Sequence, residues 1–135
     1  PRYLLEPRLW AEEGTVYVQD FLDNGLQTSI FHQHLGYYSL VNKLIINSSL
    51  SLFPFDSIAF ATTYASAFLM LAVLSFPLYM ESEYWNSWLK KTVIILASVL
   101  LATDEMWLNV INLQFFLGLF VVFLYCYPIN SSSID

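Results

Sequence analysis

Charge is scarce in this chain: Lys and Arg together number 5, Asp and Glu 11, and charged residues make up only 12% of its 135 positions. So few cations leave no basic stripe, which excludes nucleic acid as a partner. One cysteine, Cys126 inside an apolar run, excludes an internal disulfide framework. Glycine and proline are also rare, 4 and 5 residues, and no low-complexity segment stands out beyond Ser131–Ser133. The N-terminus has no basic stretch followed by a short apolar core, so we expect no signal peptide. Abundance lies elsewhere: 57% of residues are apolar and 18% aromatic, with mean hydropathy +0.55. That balance is far from a soluble domain and points to a lipid bilayer. A start at Pro1 and a polar tail from Pro128 to Asp135 lead us to expect a piece of a longer multi-span protein.

From Ser57 to Met80 runs an uncharged stretch of 24 residues. As helix it reaches about 36 Å, enough to cross a hydrocarbon core of about 30 Å with tilt. Pro54 and Asp56 mark its start, and Pro77 should kink or end it. A polar connector, residues 81–91, follows with Trp85, Trp88 and the adjacent bases Lys90-Lys91. Lysines at a span end favour the cytoplasmic side. The next apolar run, Thr92 to Thr103, has only 12 residues, roughly 18 Å of helix. Either the helix begins earlier, near Trp85, with Lys90 and Lys91 snorkelling, or Asp104-Glu105 sits below the outer surface in a wet or protein-lined cavity. Leu113 to Tyr127 reads as a third span.

Residues 1–53 differ in kind. Glu12 to Asn24 forms an amphipathic helix ended by Asn24-Gly25 as C-cap, and Gln27 to Leu35 reads as extended or irregular. Gly36 to Phe53 follows as a second helix, apolar at Leu40, Leu44 and Ile45 but interrupted by Asn42, Lys43, Asn47 and Ser48. Neither is apolar enough to span, so both are expected to lie along the outer interface. The resulting fold class is all-α: a polytopic membrane protein with two juxtamembrane amphipathic helices and three transmembrane helices. Its parts are residues 1–53, the first extracytoplasmic loop; 54–80, a transmembrane helix; 81–91, a cytoplasmic connector; 92–112, a transmembrane helix and short extracytoplasmic turn; and 113–135, a transmembrane helix and polar tail.

Two acidic pairs stand out against this apolar background, Glu12-Glu13 and Asp104-Glu105. Two crossings separate them, so they return to the same outer face. Adjacent acids raise each other's pKa or recruit a cation, and a hard divalent ion takes oxygen ligands. Arg8 or Lys43 would serve as counter-charge for a phosphate. On a helix Glu105, Asn109 and Asn112 fall at i, i+4 and i+7 and share one face. The bland readings are a solvated helix N-terminus for Glu12-Glu13, a solvated loop for Asp104-Glu105, and interhelical hydrogen bonding for Asn109, Asn112 and Gln114. His32 and His34 are more often simple interfacial polar residues, His32 more so than His34. Trp10, Trp85, Trp88 and Trp107 read as interface anchors. Asn47-Ser48-Ser49 and Asn130-Ser131-Ser132 fit the glycosylation sequon.

The order of these features resembles the GT-C class of integral-membrane glycosyltransferases. Trp10-Ala11-Glu12-Glu13-Gly14 and the string Glu105, Asn109, Asn112, Gln114 are similar to those of uncharacterised bacterial members, and the resemblance runs over about residues 2–127. It implies an enzyme that transfers a sugar from a polyprenyl-phosphate donor to an extracytoplasmic acceptor. It further implies Glu12, Glu13 and Glu105 as catalytic residues, one of the first pair being the base toward the acceptor. Arg8, His34, Tyr37, Asn109 and Asn112 would bind substrate, and Glu13, Asp104 and Glu105 would hold a divalent metal such as Mg, Mn or Ca. His34 stands where relatives carry a His-Pro-Pro string, with Leu35-Gly36 in place of the prolines. Partners are then the polyprenyl-linked sugar, the bilayer and the remaining spans of the full-length protein, in a bacterial inner membrane with the acidic pairs outside. The alternatives are a transporter or flippase that uses the acids to bind ions, and a non-catalytic membrane scaffold.

Overall fold

The structure, a computed structural model, describes residues 5–33, 39–79, 86–101 and 110–126. Over these residues every regular element is helical. The first is a π-helical turn, Glu13–Val18, running without a break into α1, Gln19–Phe31. Glu13 starts it by reaching back to the N–H of Trp10, 3.0 Å away, as the third-position acid of a capping box does.

Gly25 does adopt a conformation reserved for glycine, φ 74° and ψ 174°, but the helix does not end there. It kinks and resumes to Phe31, so the extended backbone expected from Gln27 begins only after Phe31. Tertiary contacts explain the extra turns. Lys43 donates to the Ser29 carbonyl at 2.6 Å, and Asn47 donates to the Ser29 hydroxyl at 2.7 Å. These bonds hold residues beyond the kink against the next helix.

That helix, α2, covers Leu40–Leu52, shorter at both ends than the expected 36–53, of which residues 36–38 lie outside the described residues. Its C-terminus is dictated by Pro54, which forces the preceding Phe53 into extended backbone, φ −123° and ψ 152°. A 3-10 turn, Phe55–Ser57, then leads into α3, Ile58–Tyr79. Pro77 falls in the last described turn of α3, where it removes one amide from the helical hydrogen-bond ladder. α4 covers Trp88–Leu101 and α5 covers Leu113–Tyr125. α4 thus begins at Trp88, before Lys90 and Lys91 and three residues after Trp85, while Asp104 and Glu105 lie outside the described residues.

Phe55–Tyr79, 25 residues with mean hydropathy 1.8 in its best window, is the one helix among the described residues long and apolar enough to cross a membrane. At 1.5 Å per residue, α4 and α5 reach only about 20 Å over their described lengths. The Lys91 ammonium of α4 donates to the Leu78 carbonyl of α3 at 3.0 Å, tying the two helices together.

The main core lies between α3 and α5, where Met70, Val73 and Leu74 meet Leu113, Phe116 and Phe123. Phe76 and Phe120 pack edge to face, centroids 4.9 Å apart, a contact contributing about 0.5–1.5 kcal/mol beyond its area. Toward its N-terminus α3 buries small polar residues, Thr62, Thr63 and Ser66, which let α2 approach closely. The Thr62 and Ser66 hydroxyls bond carbonyls of their own helix. A second cluster, Tyr17, Val18, Ile46 and Val110, joins the π-helical turn, α2 and the turn before α5. Ile45 of α2 packs against both clusters.

Helix α2 is the largest departure from expectation within the first 53 residues. An interfacial helix should turn its polar face to water, yet Asn42, Lys43 and Asn47 are buried while Leu44 and Leu52 are exposed. The reason is α1, which supplies polar partners that satisfy this face internally. Asn47 is 1% exposed and hydrogen-bonded, so the sequon at Asn47 is closed to a glycan in the folded chain.

Candidate functional site

Adjacent residues on a helix point about 100° apart, and the two acids of the first pair meet opposite fates. Glu12 is exposed, whereas Glu13 is 2% exposed. Both oxygens of Glu13 accept backbone N–H groups: Oε2 takes Trp10 at 3.0 Å and Oε1 takes Val110 at 2.8 Å. The second bond joins residues 97 positions apart in the chain. Burial pushes the Glu13 carboxyl above its usual range, and the two N–H donors draw it part of the way back.

Arg8 is exposed, with its guanidinium over the Trp10 ring, 5.3 Å from the centroid. It is a positive charge held by a cation–π contact with a residue two positions before the first acidic pair in the chain. Asn112 occupies the N-cap position of α5, with φ −80° and ψ −7° and no side-chain cap bond. Val110 to Asn112 form a turn, with Leu113 N–H donating to the Val110 carbonyl at 3.2 Å. Of the helical face expected to carry Glu105, Asn109 and Asn112 together, only Asn112 lies among the described residues. Asp104, Glu105, Asn109, His34 and Tyr37 lie outside the described residues. Among the described residues no group of three or more His, Cys, Asp or Glu side chains could hold a metal. Of the expected metal ligands only Glu13 is described, and its oxygens already serve the backbone.

Lys43 does not fit the role of a free counter-charge for phosphate. It is 2% exposed and its ammonium contacts Asp20 Oδ2 at 2.9 Å and the Ser29 carbonyl at 2.6 Å. An ammonium buried this deeply must be paired, because an isolated one would lose its hydration without return. Asp20 is the centre of this cluster. Its other oxygen contacts His32 Nδ1 at 2.7 Å and Asn24 Nδ2 at 2.8 Å. Burial alone would push the Asp20 carboxyl up, but hydrogen bonds from Lys43, His32 and Asn24, with the Lys43 charge, outweigh it and hold it below its usual range. Sequence reasoning missed this cluster. The signal that could have found it is the spacing of Asn42, Lys43 and Asn47 on one side of α2, a polar face that needs a partner of opposite charge.

An apolar cleft of about 700 Å³ opens between α2 and the start of α3. Leu44, Leu52, Phe53, Phe60 and Tyr64 wall it, with Ser48 at its side. Compared with known proteins, the chain matches no protein-family model, no curated protein and no solved structure.

Proposed function

We propose that the chain belongs to an integral-membrane glycosyltransferase of GT-C type, transferring a sugar from a polyprenyl-phosphate donor to an acceptor outside the cytoplasm. The observation that carries this reading is the 2.8 Å bond from Val110 N–H to Glu13. It brings the first acidic pair against the chain a few residues past Asp104-Glu105, as a site assembled from two loops on one side of a membrane requires. In this reading α3 is the first crossing in view, α4 and α5 belong to the next two, and Lys90-Lys91 marks the cytoplasmic side.

The chemistry asks for a carboxylate to take the acceptor proton as the anomeric carbon exchanges its bond to phosphate for a bond to the acceptor oxygen. Arg8 is suited to the departing phosphate, and a divalent metal on Asp104 and Glu105 would share that charge. The cleft between α2 and α3 has the apolar walls an isoprenoid chain needs. The test is transfer of labelled sugar from the polyprenyl phosphate by the intact protein in membranes. Amide or alanine substitution of Glu12, Glu13, Asp104 and Glu105 should each reduce it, and unchanged transfer in all four would remove the assignment.

A further inference from the structure

We infer that the two acids of the first pair divide their labour: Glu13 is a positioning residue that clamps the second loop to the first, and Glu12 is the carboxylate that meets substrate. This rests on the glycosyl-transfer reading for the role of Glu12, while the clamp itself stands on geometry alone.

The geometry of Glu13 is that of a structural hydrogen-bond acceptor. It shares the π-helical turn with Tyr17 and Val18 and bonds Val110, and these three residues belong to one nearly inaccessible cluster. Each oxygen is held by a main-chain N–H from a different segment, Trp10 on one side and Val110 on the other. A base must present a lone pair to an acceptor hydroxyl, and a side chain with 2% exposure has no open path to one. Its two bonds instead solve a problem the fold creates. Val110 is 0% exposed and its N–H precedes α5, so no carbonyl of α5 receives it in the helical pattern. A buried N–H left unpaired is costly, and Glu13 removes that cost while fixing the entry of α5 against the π-helical turn. Glu12, one residue earlier, leaves the same turn into the open.

Comparing amide and alanine variants separates the two roles. The amide introduced by Glu13→Gln keeps a carbonyl oxygen for Val110 but sets its NH2 against the Trp10 N–H, donor to donor, so E13Q should retain part of the transfer that E13A loses. At Glu12 a missing charge is decisive, so E12Q should be as inactive as E12A, each falling by about 10²-fold or more. Amide hydrogen exchange at Val110 in the intact protein is the second readout. E13A should speed it by roughly tenfold or more, with E12Q leaving it unchanged. Equal loss of transfer in E13Q and E13A, with Val110 still protected in E13Q, would overturn the division by making Glu13 a chemical participant. Unchanged Val110 exchange in E13A would overturn the clamp. Faster exchange in E13A together with full transfer in E12Q and E12A would retain the clamp and reject Glu12 as the substrate carboxylate.

Discussion

Replacing Lys43 by methionine is the sharpest test of how α1 and α2 are held together. The change keeps most of the buried stem but removes the ammonium, whose partners are Asp20 at 2.9 Å and the Ser29 carbonyl at 2.6 Å. Removing one partner of a buried pair costs about 3–5 kcal/mol in general. The lower end applies here, because Asp20 retains His32 and Asn24 as donors and its side chain is 10% exposed against 3% for Lys43. The Ser29 carbonyl, left without its donor, accounts for about 1–3 kcal/mol of this by itself. We expect Lys43→Met to destabilise by about 3 kcal/mol. Lys43→Ala should cost about 2 kcal/mol more through lost methylene burial. Adding Asp20→Asn to Lys43→Met should restore part of the loss, since removing both members of a buried pair is often neutral or better. The assay is unfolding in detergent micelles followed by tryptophan fluorescence, read as a double-mutant cycle. A Lys43→Met cost below about 0.5 kcal/mol, or strictly additive single and double variants, would refute the pairing as a stabilising contact.

Gly25 carries a backbone strain test. A Cβ there meets nothing within 4 Å, so any cost of Gly25→Ala comes from its φ of 74°; we expect about 1–3 kcal/mol in the same unfolding assay, and a neutral result would refute the kink. Acid titration tests Asp20, whose folded pKa lies below the ordinary 3.8. Its contribution to stability is therefore present above 3.8 and is lost as pH falls through the lower folded value. Asp20→Asn should flatten the acid limb of the stability profile, and an unchanged limb would remove Asp20 from the account.

The parts of the fold that depend on local pattern were readable in advance. The run around α3 reads as one long helix because it is apolar and free of charge from Ser57 to Met80, and Pro54 fixes where α2 ends because it restricts Phe53 whatever the surroundings. The break at Gly25 was also visible, but its consequence was not. A glycine followed by polar residues reads as a helix end, and only bonds from Lys43 and Asn47 to Ser29 make it a kink. The sense of α2 was hidden for the same reason. Its amphipathic pattern gives two faces and does not say which is inward, a choice made by the polar side chains of α1.

The candidate site divides along the same line. Two acidic pairs in an apolar, helical chain are visible in the order of residues, and so is the rule that Glu12 and Glu13, as neighbours on a helix, must point in different directions. Which of them is buried depends on tertiary contact, because the partner that holds Glu13 is a main-chain N–H 97 residues away. Every residue other than proline carries that group, so no side chain at position 110 could have announced it.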